Sequence, residues 1–200
     1  MAATEPHIVD WPAYFAATIE KPLHPTYALL EPHLPTTVRV LELGCGVGHG
    51  VLYFVSRGFQ VVAVDQSKEA LEIVRSCLPA GASVEFVQSG FEDLDLAPLG
   101  TFDVIVAEFS LFFLPPPAFR AFWARMMADL KPGGLFMGQL LGVNDEWAPR
   151  GYTVLTRAGV EQLLAPFETL HLEEVDLDGE TSQRVPKHWH IFHFIARKRP

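Results

Sequence analysis

Short runs of β-branched and other apolar residues recur from residue 38 onward, and a stretch of helical length follows each of them. The runs cover residues 38–43, 60–64, 84–87, 102–107 and 135–137. Apolar strands that alternate with helices are typical of a parallel sheet with both faces covered. The pattern therefore predicts an α/β fold with a doubly wound, mostly parallel sheet and helices on both faces.

Capping residues and helix breakers indicate where some of these helices begin and end. Ser67 and Thr156 each stand directly before a helical pattern, in the position of an N-cap. A further helix over residues 117–130 should end at the Pro- and Gly-containing stretch 131–134, which is expected to form a turn before the fifth strand.

The pattern changes after residue 150. Two further strands, over residues 171–177 and 188–196, flank a turn-rich connection, so the last strand should run antiparallel to the others. The sheet then has seven strands within one Rossmann-like domain over residues 38–200. Residues 1–37 contain six prolines among aromatic residues, and they fit either a helical cover over the site or an inert packing arm.

Composition narrows the possible partners. The 200 residues are 49% hydrophobic and carry a formal net charge of −9, which argues against nonspecific nucleic-acid binding. Residues 1–7 lack a secretion signal and no later stretch is typical of a membrane span, so we expect a cytoplasmic protein without a membrane partner. Cys45 and Cys77 suggest neither a disulfide framework nor a thiolate zinc site. The oligomeric state is left open.

A glycine-rich loop follows the first strand and opens a helix. Gly44 and Gly46 would allow a tight reversal with positive φ and bring backbone N–H groups close to a ligand, and Gly48 would let the helix pack on the sheet. The dinucleotide spacing Gly-x-Gly-x-x-Gly would need glycine where His49 or Val51 stands. The loop thus lacks the dinucleotide fingerprint in both registers.

An acidic residue followed by Gly-x-Gly-x-Gly, here Glu42, Gly44, Gly46 and Gly48, resembles motif I of the class I S-adenosylmethionine-dependent methyltransferases. The resemblance covers roughly residues 38 to 196. It implies that this loop, Cys45 included, lies beneath the methionine and sugar parts of S-adenosylmethionine.

The same resemblance implies further cofactor contacts at the ends of the second and fourth strands. Asp65 would accept hydrogen bonds from the ribose hydroxyls, with Gln66 beside it, although an aspartate at this place is also common next to a helix N-cap. Glu108 would lie near the cofactor amine and sulfonium, at a carboxyl end of the sheet, where ligands of open α/β folds bind.

Adenine recognition departs from the family pattern. Gly90 stands where the family often has an aspartate for the adenine amino group, so the backbone of Phe91 and the carboxylate of Glu92 are the available substitutes. Solvation of a loop is the competing interpretation of Glu92.

The acceptor is expected to be a small molecule. The Asn/Asp-Pro-Pro-Tyr motif of N-methylating relatives and the Pro-Cys nucleophile for cytosine carbons are both missing. Residues 187–193 resemble small methyltransferases of the tellurite-resistance and thiopurine type. Alignment and exclusion of water can carry methyl transfer, so no catalytic base is assigned.

Basic residues between the last two strands suggest that the acceptor is anionic. The topology brings Arg184, Lys187 and His188 to the carboxyl edge of the sheet, and Tyr14 would approach from the N-terminal cover. The alternative is that Arg184 and Lys187 balance nearby acids on a solvated loop. His188 and His190 share a strand face, but without a third ligand no metal site is expected.

Two other functions stay open at this point. One is a dinucleotide-dependent oxidoreductase on a similar sheet, and the other is a catalytically idle domain of this fold that serves as a binding partner.

Overall fold

The structure is a computed structural model that describes residues 10–200, so the expectations for residues 1–7 lie outside the described part. The helices are α1 (Trp11–Thr18), α2 (Thr26–Leu30), α3 (His49–Val55), α4 (Lys68–Cys77), α5 (Pro116–Asp129) and α6 (Arg157–Leu164). The strands are β1 (Arg39–Leu43), β2 (Gln60–Asp65), β3 (Val84–Gln88), β4 (Phe102–Ala107), β5 (Leu130–Gly142), β6 (Val154–Leu155), β7 (Phe167–Glu180) and β8 (Pro186–Lys198).

One sheet joins these strands in the order β3-β2-β1-β4-β5-β8-β7, with β6 beside the end of β5. All pairs are parallel except those of β8, which runs antiparallel to both β5 and β7. The α/β class and the antiparallel last strand are confirmed. The expected count of seven strands holds for the main order, and the two-residue β6, too short to give an apolar period, makes the eighth.

The sheet has a hydrophobic core on each face. Leu41, Val62 and Ile105 lie side by side in the strands and face α5 and α6. Their neighbours along the chain, such as Val40 and Val104, point to the opposite face and pack with α2, α3 and α4. Successive side chains of a strand alternate in direction, so strands that are apolar throughout become buried on both sides.

The two capping residues act as expected, and the expected turn lies within the span of a strand. Ser67 accepts a hydrogen bond from the backbone of α4, and Thr156 does the same for α6. The stretch 131–134 lies inside β5, where the pairing register with β4 shifts and Gly133 adopts a φ of +75°. The pairs Phe102–Leu130 and Val104–Leu135 leave these four residues opposite Asp103 alone, so the stretch loops out of the ladder as a short turn before the strand continues.

The β7–β8 hairpin is longer than the sequence pattern predicts. The pairing of β8 with β5 ends at Ile191 and Leu141, whereas β7 and β8 continue to pair with each other as far as Glu180 and Pro186. The tip of the hairpin therefore projects beyond the carboxyl edge of the sheet and stands as a wall beside it.

The N-terminal helices lie against the same edge. The Trp11 ring of α1 packs edge-on to Phe113 at 5.5 Å, and His49 Nε2 lies 2.9 Å from the carbonyl oxygen of Thr18. Tyr27 and Leu30 of α2 are fully buried in the core of the sheet. A domain boundary at residue 37 stays a prediction. Within residues 10–200, no helix has the length and apolar character needed to cross a bilayer.

Candidate functional site

A large cavity opens at the carboxyl edge of the sheet, bounded by the glycine loop, α1 and the β7–β8 hairpin. Its volume is about 1160 Å³. Pockets for one small ligand usually measure about 300–1000 Å³, so this cavity has room for two small molecules together.

The glycine loop forms one wall of the cavity. Gly44 and Gly46 have φ values of +74° and +51°, in the region that L side chains rarely adopt. A Cβ on Gly44 would lie 2.6 Å from the Cβ of Ser110, whereas none of the described residues has an atom within 4 Å of a Cβ placed on Gly46. Gly46 therefore exposes its backbone to the cavity, as a loop that approaches a ligand requires.

Gly48 has a different role from the one implied by the motif. It lies outside the cavity lining, with a φ of +86°, and precedes α3. A Cβ there would lie 2.6 Å from a methyl group of Val74. Glycine is needed here because α3 and α4 pack closely at this point. Gly48 does not line the cavity, so its assignment as a cofactor contact is not supported.

Asp65 links the end of β2 to the glycine loop. One of its oxygens accepts from the Gly46 amide at 2.9 Å and the other from the Ser67 amide at 2.8 Å. Burial raises the pKa of Asp65, and these backbone hydrogen bonds oppose the rise. Each carboxylate oxygen can accept a second hydrogen bond, so Asp65 can still receive two hydroxyl groups from the cavity.

Two further acids face the cavity beside Asp65. Burial raises the pKa of Glu108 to about 7. The pKa of Glu42 is raised well above its ordinary value by burial and then by the nearby charges of Glu108 and Asp65. Within residues 10–200, Glu42 Oε2 has no hydrogen-bond partner. A cation in the cavity would relieve this crowding of acids and would stabilise their ionised forms.

Tyr14 of α1 lines the same part of the cavity. Its pKa is raised to about 12 by burial and by Glu108 and Asp65. The hydroxyl therefore stays protonated at neutral pH and can donate a hydrogen bond into the cavity. This places Tyr14 over the predicted cofactor residues, as a helical cover would.

The loop after β3 lines another part of the cavity, next to the end of β2. The Phe91 ring stacks on Phe122 at 5.2 Å, and Arg125 donates to the Phe91 carbonyl oxygen at 3.1 Å. Glu92 and Gln66 are exposed side chains that line this part. The loop thus offers an aromatic face and an exposed carboxylate in the absence of an acid at residue 90.

Cys45 also lines the cavity, between the two glycines of the loop. The thiol is free and buried, and burial raises its pKa well above the ordinary value. The Cys45 thiol is therefore a small neutral group.

Nine of the ten candidate cofactor residues thus border the cavity: Glu42, Gly44, Cys45, Gly46, Asp65, Gln66, Phe91, Glu92 and Glu108.

The expected basic cluster at the mouth does not form. The Arg184 side chain is 88% exposed and lies 3.4 Å from Glu180, on the solvated tip of the hairpin. His188 lies on the outer face of the hairpin, where Asp176 and Asp178 each approach its ring nitrogens to 2.8 Å. Neither residue lines the cavity. Side chains alternate along β8, so His188 points to the face opposite Lys187, and Arg184 lies in the turn of the hairpin.

Lys187 does line the cavity, but its charge is already neutralised. The residue is 3% exposed, and Nζ lies 2.6 Å from both carboxylate oxygens of Asp145. Burial lowers the pKa of Lys187, and Asp145 opposes this. The other cationic side chains along the lining are Lys21 and Arg150.

Sequence reasoning missed part of the lining. Trp189 borders the cavity with Ile191 and His193, because the three alternate residues share one face of β8. His193 stacks on His24 with ring centroids 5.2 Å apart. Burial lowers the pKa of His193 to about 4, with a contribution from His24, so the ring is neutral at pH 7. The period-two pattern could have identified the β8 face, but not its His24 partner.

Comparison with known proteins gives a consistent match. A family model described as "Methyltransferase domain" matches residues 40–134. The ubiquinone biosynthesis O-methyltransferase of Xanthomonas axonopodis pv. citri is 31% identical over 128 residues, which are 60% of this chain. The chain spans only about half of that relative, 53% of its length.

Solved structures extend the likeness to nearly the whole chain. The 1,6-didemethyltoxoflavin-N1-methyltransferase of Burkholderia thailandensis, solved with 1,6-didemethyltoxoflavin and S-adenosylhomocysteine, is 26% identical with a TM-score of 0.64. That match covers 96% of this chain and 80% of the other. TehB from Haemophilus influenzae shares the fold at a TM-score of 0.71 and 15% identity, covering 88% of this chain and 63% of TehB.

Proposed function

We propose that the chain is a class I S-adenosylmethionine-dependent methyltransferase that transfers a methyl group from this cofactor to a small molecule bound in the same cavity. The observation that carries the proposal is the convergence of the glycine loop with Glu42, Asp65 and Glu108 on one cavity with room for both reactants.

The charge of the cavity fits this cofactor. When bound, S-adenosylmethionine supplies an electrophilic methyl group on a cationic sulfonium; its amino group adds a second positive charge and its carboxylate one negative charge, so its net charge is positive. Three carboxylates around the glycine loop complement such a ligand. A dinucleotide would bring a negatively charged pyrophosphate to the same acids, which makes the oxidoreductase alternative electrostatically unfavourable.

The residues of the chain divide the work of binding and alignment. Asp65 has free acceptor capacity for the ribose hydroxyls, while Glu42 and Glu108 lie where a cationic group would be stabilised. Tyr14 and the rest of α1 cover the cavity and exclude water. Fixing two reactants in line can lower a barrier by about 7–11 kcal/mol without an acid or base.

The shape of the site favours a small acceptor. α1 and the hairpin tip enclose the cavity on two sides, and the formal net charge of −9 would repel a nucleic-acid backbone. The Burkholderia methyltransferase, whose structure holds 1,6-didemethyltoxoflavin, supports this choice by analogy.

Calorimetric titration with S-adenosylhomocysteine tests the cofactor assignment. We expect the wild-type protein to bind it and Asp65→Ala to bind it more weakly by about 2–4 kcal/mol, because the ribose hydroxyls and the Gly46 amide lose a charged acceptor. Glu69→Gln, at an exposed carboxylate in α4 away from the cavity, is the matched control. Binding of NADH in place of S-adenosylhomocysteine would reverse the choice of function.

Incubation with methyl-labelled cofactor and a panel of small molecules tests transfer itself. Label should appear in an acceptor with the wild-type protein and decline in the Asp65→Ala protein. Tight cofactor binding without transfer to any acceptor in the panel would instead favour the idle binding domain.

A further inference from the structure

Part of the cavity wall is built from aromatic rings. Trp147 and Trp189 lie 5.4 Å apart, Phe109 meets Trp189 edge-on at 6.3 Å, and Trp11 meets Phe113 edge-on at 5.5 Å. All five residues line the cavity and come from α1, the segments after β4 and β5, and β8. We call this group of five the aromatic end.

Apolar side chains beside these rings are open to solvent. Leu177, on β7, and Val185, in the turn just before β8, are each 53% exposed and border the same cavity. Large apolar residues that stay exposed at a concave surface are typical of a site that a ligand covers. The aromatic end is therefore suited to an apolar occupant.

A buried ion pair fixes the two indole rings. The Lys187 ammonium lies 3.8 Å from the Trp189 ring centroid and 4.5 Å from that of Trp147. Asp145 neutralises it and also accepts hydrogen bonds from the backbone amides of Trp147 and His190. Rings held in this way keep their faces in place before a ligand arrives, which lowers the entropy lost on binding.

Two neutral imidazoles, those of His24 and His193, line the cavity beside the aromatic end. Phe109 follows Glu108 directly and packs edge-on against both His24 and His193. A neutral imidazole has one nitrogen that donates and one that accepts a hydrogen bond. Within the described chain, His193 Nδ1 is buried and lacks a partner. The pair thus places polar groups beside Phe109 and the aromatic end.

We propose that the aromatic end binds a flat aromatic acceptor whose reactive hydroxyl or amino group faces the His24–His193 pair. This inference rests on the methyltransferase function proposed above. As the new bond from the acceptor oxygen or nitrogen to the methyl carbon forms, the carbon–sulfur bond breaks with its electron pair left on sulfur. The O–H or N–H proton of the acceptor is released to water.

Two probes of equal carbon skeleton test the aromatic preference. In calorimetric titrations of the wild-type protein saturated with S-adenosylhomocysteine, 2-naphthol should bind at least about tenfold more tightly than decahydro-2-naphthol, because only the first is flat and aromatic. Equal affinities, a preference for the saturated alcohol, or no binding of 2-naphthol at millimolar concentration would overturn the proposal.

Variants locate the site. Trp189→Leu should weaken 2-naphthol binding about tenfold and Trp189→Phe much less, with S-adenosylhomocysteine binding unchanged in both. Trp123→Phe, at a core position outside the cavity lining, is the matched control and should change neither affinity. Equal loss in Trp189→Leu and Trp123→Phe would place the probe elsewhere and overturn the assignment.

His193→Phe tests the orientation. It should weaken 2-naphthol binding about fivefold but leave naphthalene binding unchanged, because only the hydroxyl compound loses a hydrogen bond. An equal effect on both probes would refute the contact with the imidazole pair. Binding of S-adenosylhomocysteine to the wild-type protein is measured before any probe is added. If it does not bind, the proposed function fails, independently of the aromatic end.

Discussion

The acid at the end of β4 should make the stability of the free protein depend on pH. Burial raises the pKa of Glu108 from 4.5 to about 7. Each pKa unit corresponds to about 1.4 kcal/mol, so keeping this group ionised in the folded protein costs about 3 kcal/mol. Between pH 4.5 and 7 the folded state binds the proton and the unfolded state has lost it. The free energy of unfolding should therefore fall by about 3 kcal/mol as pH rises through this window, and this contribution should stay constant above it.

Glu108→Gln isolates this contribution, because it keeps the size of the side chain and removes its titration. In urea unfolding at several pH values from 4.5 to 8, the stability of the variant relative to wild type should increase by about 3 kcal/mol from the acidic to the basic end. Glu69→Gln, at an exposed carboxylate outside the cavity, is the matched control. A pH-independent difference for Glu108→Gln would refute the reasoning.

The same acid should couple protons to cofactor binding. A cation beside Glu108 favours the carboxylate, so binding of S-adenosylmethionine near pH 6.5 should release protons. Titration calorimetry in two buffers with different ionisation enthalpies measures that release directly. The Glu108→Gln protein should release fewer protons than wild type, and an equal release would assign the proton to another group.

The remaining predictions concern the glycine loop and the buried ion pair. Gly46→Ala should cost only about 1–2 kcal/mol of stability but should sharply weaken S-adenosylhomocysteine binding in calorimetry. Gly44→Ala should lower the melting temperature more, because its Cβ would lie 2.6 Å from that of Ser110. Normal binding by Gly46→Ala would contradict the placement of the loop. Asp145→Asn should destabilise the protein by about 3–5 kcal/mol in urea unfolding, because it leaves the Lys187 ammonium buried without a counter-charge. Adding Lys187→Met should restore most of that loss, and a lack of recovery would contradict the electrostatic cause.

The sequence alone predicted the features that depend on local rules. Strand and helix positions follow from the period of apolar residues, and the N-caps of α4 and α6 follow from Ser67 and Thr156. The glycine loop could be placed because positive φ at Gly44 and Gly46 excludes side chains whatever the rest of the chain does. Asp65 could be placed because the carboxyl ends of parallel strands meet at one edge of the sheet.

Tertiary structure decided which charged groups the cavity presents beside the β7–β8 hairpin. The sequence pattern predicted Arg184, Lys187 and His188 at the carboxyl edge of the sheet. It could not show that Asp145, 42 residues before Lys187, neutralises the lysine inside the protein. Nor could it show that the hairpin tip turns Arg184 to solvent. A charge is available to a ligand only if its partners leave it free, and those partners come from segments that folding alone brings together.

The aromatic end has the same origin. Its rings come from positions 11, 109, 113, 147 and 189, and none of these positions carries a local signal that separates a cavity wall from a hydrophobic core. Aromatic residues are buried in both cases, so the sequence pattern is the same. The distinction depends on whether the space beside each ring is filled by another side chain or left open, and that is fixed by how far the β7–β8 hairpin and α1 extend past the edge of the sheet.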